Sequence, residues 1–204
     1  SYLLIGFDHE AETARDNARQ ALLITSAGGL ALLIGILLLK IAGVSYTISH
    51  WVGADNQIRQ HALYPAIFIA IFLGAMTKSA QFPFHFWLPN AMSAPTPVSA
   101  YLHSATMVKA GLFLMARLWP VLAGTDEWVF IVATTGLVTM VIAAVIALFK
   151  DDLKGLLAFS TVSHLGLITM LLGFGTETAA VVAVFHIINH ASFKAALFMT
   201  AGII

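Results

Sequence analysis

Six long, predominantly apolar runs, roughly 19–41, 63–82, 97–122, 127–149, 154–174 and 178–204, limit what this chain can fold into. A helix rises about 1.5 Å per residue, so about 20 apolar residues cross a hydrocarbon core of ~30 Å. In lipid only helices and closed barrels satisfy their own backbone. Continuous runs of this length specify helices. The predicted fold is therefore all-α: a polytopic transmembrane bundle of about six full spans. Composition agrees, with 59% hydrophobic residues, 10% charged residues and a mean hydropathy of +0.90. Soluble domains carry about a quarter charged residues, which excludes a water-soluble enzyme. Ten basic against ten acidic residues leave no surplus to neutralise phosphates, so nucleic acid is excluded as a partner. The absence of cysteine excludes disulfides, thiolate zinc sites and cysteine-ligated iron–sulfur clusters.

Before the first run, Ser1-Tyr-Leu-Leu-Ile-Gly-Phe7 is too short to span and reads as the tail of a preceding helix. With no initiator Met and no signal peptide, the chain reads as an internal piece of a longer one. The connections are short, as in antiparallel neighbours. Arg15, Arg19, Lys150 and Lys154 fall on one side. Arg59 falls on the other, beside Asp55, Asp126, Glu127 and Glu177, while Lys40 and Arg117 near helix ends dilute the bias. The positive-inside rule then makes the 8–20 and 150–154 loops cytoplasmic, in a bacterial or archaeal cell membrane.

Residues 81–97 differ from the other connections. They hold Pro83, Pro89, Pro95 and Pro97 and no Lys, Arg, Asp or Glu. Pro83 is expected to break the helix carrying Lys78, and Pro89 to end a short segment rich in Phe and Trp. Pro97 suits the first turn of the next helix. Non-helical backbone at membrane depth survives only where protein or water satisfies it, and a broken helix bearing an ionisable residue points to an ion site.

All ten carboxylates fall in loops or at membrane boundaries, yet Lys78, Lys109 and Lys194 lie inside apolar runs. Ionisable residues within spans mark ion pathways by default; the bland alternative for Lys78 is an ammonium snorkelling to the headgroups. His103 and Lys109 share the 97–122 helix, but six residues at about 100° each turn them well apart, so a chain of sites fits better than one shared spot. His186, His190 and Lys194, at i, i+4 and i+8, form one helical stripe. His-x-x-x-His is a zinc spacing, but no carboxylate is nearby and Lys194 would repel a dication. Bis-histidine haem ligation needs histidines facing each other from different helices. A proton relay fits the stripe better, because histidine titrates near neutral pH and a low dielectric disfavours a charged amine. His164, beside Ser160, Thr161 and Ser163, and His85 in the proline-rich break are further relay candidates; a satisfied core histidine is the alternative for each. His9, His50 and His61 read as solvated loop residues. The Phe and Trp content reads as lipid-facing and interfacial material, and Gly28-Gly29 as a helix-packing signal. No catalytic residue, metal site or cofactor is assigned.

The segments Lys78-Ser-Ala-Gln-Phe-Pro-Phe-His-Phe-Trp-Leu-Pro89 and Ala94-Pro-Thr-Pro-Val-Ser-Ala-Tyr-Leu-His-Ser-Ala-Thr-Met-Val-Lys-Ala-Gly111 resemble the proton-conducting, antiporter-like membrane subunits. These include the membrane-arm subunits of complex I and the large subunits of Mrp-type Na⁺/H⁺ antiporters. The likeness continues through Asp152-Leu-Lys-Gly-Leu-Leu-Ala-Phe-Ser-Thr161 and Phe185-His-Ile-Ile-Asn-His-Ala-Ser-Phe-Lys194. Met-Val-Lys-Ala-Gly is most similar to the A-type large subunits of the Mrp antiporters. The resemblance implies inverted five-helix repeats with broken helices. Residues 1–122 would hold the end of the preceding helix and most of the first repeat, and 123–204 the start of the second. It makes Lys78 the central lysine of the first half-channel, His103 and Lys109 connecting groups, and His186, His190 and Lys194 part of the second half. It places the family's key glutamate on the helix just upstream of Ser1.

The expected function is ion translocation by one component of a multisubunit Na⁺/H⁺ antiporter, a secondary transporter with other membrane subunits, H⁺ and Na⁺ as partners. The alternatives are a proton-pumping subunit of complex I or a membrane-bound hydrogenase relative (a translocase), a structural scaffold subunit, and a haem-binding electron carrier.

Overall fold

A computed structural model describes residues 2–43, 58–104 and 106–204. His50 and Asp55, read above as loop residues, lie outside these. Among the described residues the chain is helical without strands. A short α1 (Tyr2–Ile5) precedes α2 (Glu12–Ile41) and α3 (Tyr64–Lys78). The proline-rich connection winds through the 3₁₀ turn Phe84–Phe86, α4 (Trp87–Asn90) and a second 3₁₀ turn, Ala91–Ser93. Next come α5 (Thr96–Ser104) and α6 (Lys109–Leu122), then α7 (Asp126–Trp128), a π-helical turn (Val129–Ala133) and α8 (Thr134–Leu148). The chain closes with α9 (Leu153–Gly173) and α10 (Glu177–Ala201).

Among the described residues, five segments are long and apolar enough to cross a membrane: α2, Thr96–Leu122, Asp126–Leu148, α9 and α10. Two of the six expected spans differ from expectation. The segment expected over 63–82 is the 15-residue α3, which reaches about 22 Å and falls short of a full crossing. It stops before Pro83. Ala80 takes a left-handed conformation (φ 48°), and the Gln81 amide donates to Met76 O (3.0 Å), the pairing that closes a Schellman cap. The Trp87 indole donates to Thr77 O (3.0 Å), satisfying a further terminal carbonyl. The second difference is in 97–122, where α5 ends at Ser104 and α6 begins at Lys109 with a turn over 106–108. Lys109 therefore opens a helix and does not sit at the middle of one.

Short connections are closed by side-chain caps. Asp152, Thr125 and Thr176 accept from the backbone of Gly155, Trp128 and Ala179, each satisfying an amide that the helix start leaves over. At the far end of α3, Tyr64 OH donates to Leu122 O (2.7 Å), and Arg59 donates to the carbonyls of Pro120 and Val121. The start of α3 is thereby tied to the end of α6.

Helix α2 packs along α3, α3 against α6, α8 along α9, and α10 against both α9 and α5. The bundle exposes an apolar outer surface, with Leu23, Phe113, Phe130 and Phe185 each about 70% accessible, as lipid-facing positions require. Between helices there is no strong hydrophobic drive in lipid, so close backbone approach matters. A β-carbon on Gly28 would collide with Thr77, whereas Gly29 meets nothing, so half of the Gly28-Gly29 signal is used in packing. The tightest joint is α8 on α9. A β-carbon on Gly136 would strike Gly166 O and Met170 N, and one on Gly166 would strike Gly136 O and Met140 N. The obstacles are backbone atoms that cannot rotate away. Gly136→Val is expected to cost about 3 kcal/mol or more, read as loss of the monodisperse peak in fluorescence-detected size-exclusion chromatography.

Two of the tryptophans are packed inside the bundle. Trp87 and Trp128 are 2% and 0% exposed, and Trp128 Nε1 donates to Leu172 O (3.0 Å), a carbonyl it shares with Trp119 Nε1 (3.2 Å). Trp128 also packs on Phe68, within a ladder of Tyr64, Phe68 and Phe72 spaced at i, i+4 along α3. These indoles have partners because a buried N–H needs one.

Candidate functional site

Every carboxylate among the described residues is exposed. The buried ionisable groups are His103 (0% exposed), Lys109 (4%), His190 (0%) and Lys194 (1%). They arrive from α5, α6 and α10; α9 supplies partners to His190 and Lys194, and α10 itself to His103 and Lys109.

Lys78 ends α3, where the helix's partial negative charge favours a cation. It is half-buried and lines a cavity of about 260 Å³ with Thr25 and Gly29 of α2 and Ala110 and Gly111 of α6. It makes no hydrogen bond or ion pair with the described residues. The first residue of α6, Lys109, carries the opposite dipole. Its ammonium reaches across to α10 and donates to Ile187 O (2.9 Å). One residue earlier on α10, His186 Nε2 lies 3.0 Å from Nδ1 of His164 on α9. His190 packs its ring against His164 (centroids 5.1 Å) and Phe193 (5.2 Å), with neither ring nitrogen partnered among the described residues. One turn further, Lys194 Nζ donates to Ser160 Oγ of α9 (2.8 Å). His103 meets α10 lower down, its ring 5.4 Å from Phe198. Along the facing sides of α9 and α10 the result is a polar tract: Lys109, His186 with His164, His190, and Lys194 with Ser160.

A hydrogen bond between two neutral imidazoles holds one proton between the nitrogens. A second proton would set two N–H donors face to face and break it. The pair can therefore hold one proton between its rings. The 3.0 Å separation is also too short to place a metal between the rings, since each metal–nitrogen bond is about 2 Å.

Over residues 1–204 the chain matches the transmembrane family described as NADH:quinone oxidoreductase/Mrp antiporter. The chain belongs to this family. It is 60% identical over 205 residues to a probable K⁺/H⁺ antiporter A/B subunit of Rhizobium meliloti (strain 1021), covering 100% of this chain and 20% of that protein. It is 48% identical over 215 residues to the Na⁺/H⁺ antiporter A1 subunit of Staphylococcus aureus (strain JH9), covering 99% of this chain and 27% of that one. The structure of the Mrp complex from Dietzia sp. DQ12-45-1b superposes with a TM-score of 0.93 at 42% identity, over 98% of this chain and 22% of the matched chain. A membrane-bound sulfane sulfur reductase, an archaeal respiratory membrane complex, matches with a TM-score of 0.86 at 25% identity, over 98% and 42%. The chain thus spans between a fifth and about a quarter of the length of these curated relatives. Membership makes it part of a polytopic membrane protein, and the all-helical fold agrees.

In this antiporter-family chain, six of the eight ionisable residues singled out from sequence lie against α10 or on it: His103, Lys109, His164, His186, His190 and Lys194. Lys78 sits apart, in the cavity between α2, α3 and α6. His85 belongs to neither group. It stacks on Phe82 (centroids 5.7 Å) and meets Phe86 edge-on, within the 3₁₀ turn. Of the four prolines, Pro83 and Pro89 shape the turns after α3, while Pro95 and Pro97 flank the start of α5. Pro95 O accepts from the Ser99 amide (2.9 Å). Ser160 is the residue that spacing arguments missed as a partner. Its position one turn before His164, in a short polar run with Thr161 and Ser163, was the available signal. The π-helical turn Val129–Ala133 had none.

Proposed function

We propose that this chain forms part of the ion-translocating core of a multisubunit monovalent-cation/proton antiporter, with other membrane subunits of that complex as its partners. The observation that carries the reading is the tract from Lys109 through His186 and His164 to Lys194 and Ser160. It is a sequence of titratable groups in contact with one another and with no carboxylate among the described residues. Proton-carrying roles go to Lys78, Lys109, His186, His190 and Lys194, with His103 and His164 as connecting groups. His85 is left as a lesser relay candidate. The change from the first repeat to the second falls near residue 122, in the connection before Asp126.

Coupling needs only that cation and proton disfavour each other. A unit charge arriving about 6 Å from an ammonium, at an effective dielectric of about 20, costs about 3 kcal/mol, which is roughly two pKa units. A cation entering beside a buried lysine would thereby release its proton. The relatives' names include both Na⁺ and K⁺, so either ion is a candidate.

A respiratory-type proton pump is the second reading, favoured by the likeness to the sulfane sulfur reductase complex. The full-length complex in proteoliposomes separates the two. Antiport predicts that an imposed Na⁺ or K⁺ gradient alone drives proton movement, read with a pH-sensitive dye. Proton movement that needs a redox substrate and ignores both gradients would favour the pump.

A further inference from the structure

Gly29 stands near the middle of α2, where glycine is the least favourable helix former after proline. A positive φ would explain it, but the positive-φ glycines among the described residues are Gly43, Gly124 and Gly175. Close approach of a neighbouring helix would also explain it, but a β-carbon on Gly29 would meet nothing within 4 Å. The glycines that serve packing behave otherwise. A β-carbon on Gly28 would strike Thr77, one on Gly35 Ile71, one on Gly74 Leu32, and one on Gly111 Ala75 O. Those four are buried, whereas the space beside Gly29 is open. Alanine at 29 would favour the helix and collide with nothing. What it would take away is room.

That room belongs to the cavity of Lys78. Gly29 lines it from α2 with Thr25 and Leu32, at i−4 and i+3, and Lys78 lines it from the end of α3. Lys78 and Thr25 are the polar side chains in its wall. Its volume of about 260 Å³ is far above the least that holds one water, about 10–15 Å³. Lys78 makes no hydrogen bond or ion pair with the described residues, and an ionisable group in a span faces either a partner or a water-filled cavity.

We propose that Gly29 is a positioning residue for Lys78 that acts by its missing side chain: it keeps the cavity wide enough to stay aqueous beside the lysine. The two adjacent glycines then do different work. Gly28 lets α2 and α3 touch, and Gly29, one residue on, holds a space open beside the end of α3. A side chain at 29 would leave the joint intact and fill the space through which Lys78 gives up and regains a proton. Any effect on flux presupposes the transport function proposed above; the aqueous character of the space does not.

The test uses the full-length complex. Gly29→Ala, Gly29→Val and Gly29→Leu are expected to lower cation-driven proton flux stepwise with side-chain volume, leucine reaching background. The midpoint of thermal unfolding is expected to stay at or above that of the wild type in all three. Gly28→Ala, whose β-carbon has no room, is expected to lower the midpoint. Unchanged flux in Gly29→Leu overturns the proposal. So does loss of assembly or a lowered midpoint in any of the three, because the space would then belong to a packed neighbour. A second arm needs no flux. Thiols react as thiolates, which apolar surroundings suppress, and this chain has no cysteine of its own. Gly29→Cys is expected to be labelled by a small charged methanethiosulfonate many-fold faster than Leu30→Cys, a position 64% exposed on the apolar outer surface. The label is read on the α2 peptide by mass spectrometry. Equal or absent labelling at 29 overturns the aqueous space. Labelling at 29 in a wild-type background without cation-driven flux would sink the transport reading and leave the space standing.

Discussion

On the proposed function, Lys78→Ala in the full-length, assembled complex is expected to reduce cation-dependent proton flux in everted vesicles to background while the complex still assembles. Lys78 ends a helix that is too short to cross the bilayer, and its ammonium faces a cavity shared with α2 and α6. An amine there serves one of two purposes. It either gives up and regains a proton or acts as a fixed charge that anchors neighbouring elements. Lys78→Arg separates them, because guanidinium does not deprotonate in proteins. If Lys78 carries protons, arginine fails as completely as alanine despite keeping the charge. Flux restored by arginine would make Lys78 an anchor and would sink its transport role. Equal flux in the alanine variant and the wild type would remove it from the mechanism altogether.

What could be read in advance followed the scale of the interaction. The spans were legible because each rests on about 20 residues of one character, and the lipid solvent outweighs every local preference. The break after Lys78 was legible from Pro83, but its position was not. Ala80 in a left-handed conformation closes the helix earlier, at a cost of ~1 kcal/mol or more that no local pattern announces. The interruption at 106–108 was missed for a related reason. Its hydroxyls turn back to nearby carbonyls, Ser104 to Ala100 O and Thr106 to Tyr101 O, and such local bonds compete with helix without forbidding it. The stripe on α10 was legible from its period. Its partners on α9 were not, because helix pairing depends on small-residue contacts such as Gly136 on Gly166, which any two glycine-bearing helices could offer. The pairing of Lys194 with Ser160 and of His186 with His164 is a consequence of how α10 leans on α9.

Replacing Lys194 by methionine is expected to abolish transport while leaving the assembled complex as stable as the wild type or more so. Lys194 is 1% exposed, and its hydrogen-bond acceptor is a neutral hydroxyl, Ser160 Oγ at 2.8 Å. Methionine fills nearly the same volume and is flexible enough to follow the lysine's path. The change leaves Ser160 Oγ unpaired, at about 1 kcal/mol. Replacing a buried ionic group with an apolar residue of similar size is often neutral or stabilising, by about 1–4 kcal/mol. The stabilising side wins or balances, since no carboxylate among the described residues is left behind to lose its partner. If Lys194 were retained for packing or for holding subunits together, methionine would preserve flux, or alanine and methionine would both lower the unfolding temperature. If it is retained for proton transfer, the two readouts part: flux falls to background while the midpoint of thermal unfolding holds or rises. A buried amine that lowers stability and is nevertheless present must contribute something that packing does not, and flux measured beside thermal stability in one variant distinguishes the two.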